Sequence, residues 1–128
     1  MHVLIVQSNA ELGKIWKRHL ERLNARVVHV ETGQHALALV QSDSFDVVVI
    51  DLVLKEGSPL TVADFVQFRQ PRANVVFVTD TTFFSDGSIF SHSANARALI
   101  ETATPPADLA AIVHHYGCPS HAGVERAS

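Results

Sequence analysis

A single cysteine, Cys118, leaves this 128-residue chain without the means to form an internal disulfide. A reducing, cytoplasmic setting is therefore expected. Long apolar runs are missing too. None approaches the roughly 20 residues that a membrane-spanning helix needs, and Met1 leads straight into a strand-like segment, not a signal peptide. No membrane partner is expected. Positive charge is not gathered: the 10 Lys and Arg residues run from Lys14 to Arg126 without a stripe, in a chain of net charge −3. No nucleic-acid partner is expected on that pattern. The 6 glycines form no phosphate-cradling loop, which argues against a nucleotide site. A G-x-S-x-G nucleophile elbow is also missing, so hydrolase chemistry has no support, and the chain is not expected to be an enzyme.

What is present is a globular composition, with 47% hydrophobic and 18% charged residues, in a length suited to one compact domain with a real core. Val3-Leu4-Ile5-Val6 and Val47 to Ile50 are continuous apolar, β-branched runs, the pattern of strands covered on both faces. Arg26 to Val30, Val75 to Val78 and Ala98 to Ile100 complete five predicted strands. Between them, Asn9 is expected to cap a helix using Leu12, Ile15, Trp16, Leu20 and Leu23, and Thr32 one that buries Ala36, Leu37, Leu39 and Val40. Residues Leu60 to Phe68 are predicted helical, with Val62, Phe65, Val66 and Phe68 mostly inward. Thr81 to Ser93 reads as a loop and a short helix, and Pro105-Pro106 opens the last helix. Residues 1–116 are the expected domain and 117–128 a frayed tail.

Strands alternating with helices predict an α/β fold, a (βα)5 doubly wound five-stranded parallel sheet, because each parallel connection must cross over. Chemistry in such sheets gathers at the carboxyl ends of the strands. There the chain places Gln7 and Ser8, Asp51, Thr79, and Glu101 with Thr102. An aspartate facing a threonine from the next strand can act as a phosphoryl acceptor, or it can simply hold the following turn. Spacing alone leaves both open.

Several segments together resemble the receiver domain of bacterial two-component response regulators, over about Val3 to Tyr116. They are Val3 to Val6 followed by Gln7-Ser8-Asn9, Phe45 to Leu54, Glu56-Gly57-Ser58 with Leu60, Val76-Phe77-Val78-Thr79, and Pro106 to Ala111. The resemblance implies a flavodoxin-like sheet in the order 2-1-3-4-5. It also implies that Asp51 is the phosphoacceptor position and Thr79 the switch hydroxyl, which would turn inward to a phosphoryl oxygen.

The same resemblance exposes departures. The family holds Mg²⁺ with an acidic pair and the phosphoacceptor, and here the pair positions carry Gln7 and Ser8. Magnesium demands oxygen ligands and usually carboxylates, and phosphoryl transfer depends on cations to neutralise the oxygens. Binding of Mg²⁺ is expected to be weak or absent, with no metal or other cofactor resident. Thr102 stands at the family's lysine position, and no lysine follows Lys55 anywhere in the chain. Leu99 stands at the aromatic-switch position and cannot swing a ring. Asp80 replaces a usually small residue after the switch threonine, where a second carboxylate would repel a phosphoryl group, although it can equally cap the helical region after it. Glu11 and Lys55 are weak candidates to compensate. His114, His115, Cys118 and His121 match no common zinc spacing.

The function implied is an atypical receiver, a pseudo-receiver acting in two-component or phosphorelay signalling through protein interaction. Its partner would be a sensor kinase, a phosphotransfer protein or an output protein. Docking is expected on the face of the fourth helix, fifth strand and fifth helix, where a homodimer is also an option. Two alternatives stay open: a conventional, slow phosphoacceptor switch at Asp51, and a small enzyme on a flavodoxin-like scaffold.

Overall fold

The computed structural model describes residues 1–79 and 96–117, with the backbone alone at Ala96 and Arg97. The loop and short helix expected between Thr81 and Ser93 lie outside the described residues, as do Asp80, Cys118 and His121. The elements are β1 (His2–Val6), α1 (Ala10–Glu21), β2 (Arg26–Val30), α2 (Gly33–Ser42), β3 (Val47–Asp51), α3 (Pro59–Arg69), β4 (Asn74–Thr79), β5 (Ala96–Glu101) and α4 (Pro106–Gly117). This α4 is the fifth helix of the order expected from the sequence. The strands form one sheet in the order β2-β1-β3-β4-β5, every neighbouring pair parallel, as the resemblance implied.

The apolar runs are explained by two cores, one on each face of this sheet. Side chains alternate across a strand, so Leu4, Val6, Val48, Ile50, Val75 and Phe77 enter one core with Ala36, Val40, Val62, Ala63 and Val66 of α2 and α3. Val3, Ile5, Val47, Val49, Val76 and Val78 enter the other with Trp16 and Leu20 of α1 and Leu109, Ala110 and Val113 of α4. A strand that is apolar at every position is thus covered at every position.

The helix starts follow local chemistry. Asn9 Oδ1 accepts the Leu12 N–H at 3.1 Å, Thr32 Oγ1 the His35 N–H at 3.1 Å, and Ser58 Oγ the Thr61 N–H at 3.2 Å ahead of Pro59. At the far end of α4, the Asn74 side-chain amide donates to the Tyr116 carbonyl at 2.7 Å.

Two core expectations need correction. Phe68 is 78% exposed, not inward. The buried stripe of α3 is Val62, Ala63 and Val66, and Phe68, two residues beyond Val66, lies about 200° further round the helix. Leu23 is 39% exposed, because α1 stops at Glu21 and the chain turns through Asn24 at a φ of 67°. The helical spacing read from the sequence runs to Leu23, two residues past the last residue of α1.

Candidate functional site

The described fold buries only three polar side chains, Gln7, Asp51 and Thr79, and all three stand at the carboxyl edge of the sheet. Buried polar groups are rare enough for such clustering to mark a site. Register accounts for the meeting. Val6 pairs with Ile50, which sets Gln7 beside Asp51, while Asp51 pairs with Val78 and Thr79 with Glu101. Beyond the strand ends, the Leu52 N–H donates to the Val78 carbonyl at 2.7 Å and the Thr102 N–H to the Thr79 carbonyl at 2.7 Å.

Asp51 is held by both of its oxygens. The Gln7 side-chain amide donates from Nε2 to Oδ2 at 2.6 Å, a contact between buried groups. The Val53 N–H donates to Oδ1 at 2.8 Å, so the aspartate also closes its own turn. The orientation of the Gln7 amide is set by its other end, because Oε1 accepts the Asn9 N–H at 2.9 Å. A backbone N–H requires an acceptor, which leaves Nε2 to face the carboxylate. Gln7 therefore turns hydrogens, not an oxygen lone pair, toward Asp51.

Ser8 performs a different task with the same economy of atoms. Its hydroxyl donates to the Glu31 carbonyl at 3.1 Å and accepts the Lys55 N–H at 2.9 Å. One hydroxyl thereby ties together the loops that follow β1, β2 and β3. The last two also meet directly: the Gly33 N–H donates to the Glu56 carbonyl at 3.0 Å. Gly57, at a φ of 98°, has its backbone so near that a Cβ there would lie 2.8 Å from Gly33 Cα. Only glycine fits a turn of that hand at that distance.

Gln7, Ser8, Asn9, Leu12, Asp51, Val53, Lys55 and Thr102 line a cleft of about 210 Å³. Thr102 Oγ1 is buried there without a hydrogen-bond partner among the described residues. The Lys55 residue is exposed although it lines the cleft, and Glu11 is exposed and does not line it. The structure thus brings Gln7, Ser8, Asp51 and Thr102 into one cleft. Thr79 is buried on the neighbouring strand and does not line the cleft, and the half-buried Leu99 packs against the core of α2 and α3. Among the described residues, no group of three or more His, Cys, Asp and Glu side chains could hold a metal ion. A second cleft, along α1, is lined by Lys14, Lys17, Arg18 and Glu21, the Lys17 ammonium pairing with Glu21 at 2.9 Å. It is an exposed helix surface away from Asp51.

A residue that the sequence analysis does not single out, His29, lies on the edge strand β2 and is half-buried, with Nε2 2.9 Å from the Gln7 carbonyl oxygen. The signal that could have found it is Gly13, a glycine inside a helix, where it costs about 1 kcal/mol relative to alanine. Such a residue implies a close approach from something opposite.

The family model described as response regulator receiver domain matches residues 3–113. Solved structures of the same shape include the non-phosphorylated HemR receiver domain from Leptospira biflexa, with a TM-score of 0.80 and 21% identity, covering 91% of this chain and 94% of that one. A CheY-like receiver domain protein from Methanospirillum hungatei superposes with a TM-score of 0.82 at 19% identity, covering 99% and 98%. The response regulator TrrA from Thermotoga maritima, solved in complex with Mg²⁺ and BeF, gives 0.78 at 18% identity, covering 90% and 97%. No curated protein matches the sequence.

Proposed function

From the premise that this chain belongs to the response regulator receiver domain family, we propose that it is a pseudo-receiver, signalling by protein interaction with weak or no Mg²⁺-dependent phosphorylation at Asp51. Receiver domains are signalling modules of two-component pathways, and they work with kinases, phosphotransfer proteins and output domains. Within that class, Asp51 holds the phosphoacceptor position, Thr79 the switch-hydroxyl position, and Gln7 with Ser8 the positions of the acidic pair.

The observation that carries the reading is the 2.6 Å hydrogen bond from Gln7 Nε2 to Asp51 Oδ2. Magnesium needs oxygen donors, preferably anionic, in near-octahedral order. Where a metal ligand would offer a lone pair, Gln7 offers an N–H, and the Ser8 hydroxyl is spent on Glu31 and Lys55. The residues present do not fit the ion. Thr102, at the lysine position, supplies a neutral hydroxyl, which cannot replace an ammonium as counter-charge for a phosphoryl group. The Gln7 amide satisfies the Asp51 carboxylate without inviting an incoming anion.

Partner docking is assigned to the face that includes β5 and α4, together with the helix expected before β5, which lies outside the described residues. A sensor kinase, phosphotransfer protein or output protein is the occupant proposed, and a second copy of the chain is the competing one. A cytoplasmic setting belongs to the same proposal.

TrrA was solved with Mg²⁺ and BeF, and that pair of reagents supplies the test here. Titration of this protein with Mg²⁺ and beryllofluoride, followed by backbone NMR and by the fluorescence of the fully buried Trp16, is expected to leave the Asp51 region unchanged through millimolar metal. Saturable shifts around Asp51 that vanish in Asp51→Asn would instead establish the slow phosphoacceptor.

A further inference from the structure

Each polar atom of Gln7 has a partner, and two of them belong to β2. Its N–H donates to the Val30 carbonyl at 3.0 Å, and its carbonyl lies 2.9 Å from His29 Nε2. A carbonyl oxygen only accepts, so Nε2 carries the proton and His29 donates. The two side-chain atoms are engaged by Asn9 and Asp51. The main chain of Gln7 is thus held from the β2 side, and its side chain is left to reach across β1 to β3.

The His29 ring is fixed from above by α1. A Cβ built on Gly13 would overlap the imidazole at Nε2 and Cε1 and come within 2.7 Å of Cδ2. Gly13 itself is buried, on the helix face that packs on the sheet. Any larger residue there would occupy the space of the ring, which accounts for a glycine in the body of a helix.

We propose that His29 is a positioning residue, which, seated under Gly13, pins the Gln7 carbonyl so that the Gln7 amide is aimed at Asp51. The inference rests on the reading that the Gln7–Asp51 bond governs the site, and it adds the residue that maintains that bond. Its action is indirect: His29 touches neither Asp51 nor the cleft.

The side-chain amide resonances of Gln7 provide the readout. In the wild-type chain the Nε2 protons are expected to be shifted and slow to exchange, with both properties lost in Asp51→Ala. In His29→Leu, which keeps bulk and removes the donor, the same signal is expected to move toward a free amide and exchange about fivefold faster, the scale of one neutral hydrogen bond. His29→Gln, whose amide can donate to the same carbonyl, is expected to restore it. Should His29→Leu fail to fold, Gly13→Ala displaces the ring by its methyl and is expected to release the Gln7 amide in the same way. An unchanged Gln7 signal in His29→Leu, or in Gly13→Ala where that variant stands in, would overturn the role of His29 and leave the Gln7–Asp51 bond intact. Absence of the shifted amide in the wild-type chain would overturn both.

Discussion

Gln7 Nε2 stands 2.6 Å from Asp51 Oδ2 across the junction of β1 and β3, with both residues buried. A carboxylate removed from water needs donors or a cation, and here the residue that follows the neighbouring strand supplies one of them. Cutting Gln7 to alanine leaves that oxygen short of a hydrogen bond. Gln7→Ala is expected to lower stability by about 1–3 kcal/mol in urea denaturation. A double-mutant cycle with Asp51→Ala should return a coupling energy above about 0.5 kcal/mol; additive effects would mean that the two side chains do not cooperate.

The variant Gln7→Asp with Ser8→Asp would add carboxylates at positions 7 and 8 to that of Asp51. Without metal, like charges in close reach oppose one another, so the melting temperature is expected to fall below that of the unaltered chain. Millimolar Mg²⁺ should recover it, since an ion that binds only the folded state stabilises by mass action. The unaltered chain should melt at the same temperature with and without Mg²⁺. Calorimetry of the four samples decides the matter.

Ser8→Ala removes both hydrogen bonds of the hydroxyl that joins the Glu31 carbonyl to the Lys55 N–H. A loss of about 1 kcal/mol is expected, and it should be local. Hydrogen exchange should quicken most at the Lys55 amide, while the amides of β1 and β3 keep their protection.

Phe68→Ser is expected to change stability by less than about 0.5 kcal/mol, since that ring is 78% exposed. Val66→Ala, two positions earlier on the buried stripe, should cost at least about 1 kcal/mol. Equal costs in urea titration would place Phe68 in the core after all.

Much of the architecture was legible because its signals are local. The unbroken apolar, β-branched run from Val47 to Ile50 has the pattern of a strand hidden on both sides, and Asn9 and Thr32 begin helices through their own side chains. The inward assignment of Phe68 failed for a physical reason: hydrophobicity marks what prefers burial, while helix phase decides what obtains it. At the site, the strand ends carrying Gln7, Asp51 and Thr79 could be read in order, and Gln7 and Ser8 could be read after the first strand. What those two side chains bond to could not. The hydrogen bonds of Ser8 reach residues 23 and 47 positions away, and His29 meets Gln7 across 22. Such partners are set by strand register and by the way α1 lies over β2, neither of which is written in any single segment.

The donor role of Ser8 also decides what an acid at that position would do. A carboxylate at position 8 cannot donate to the Glu31 carbonyl, so an aspartate there would cut the tie between two loops before any ion repaid the loss. An aspartate at position 7 alone would set two anions side by side. Each acid introduced singly, at position 7 or at position 8, is therefore expected to lower stability in the absence of a cation, the first by repulsion and the second by a severed loop contact.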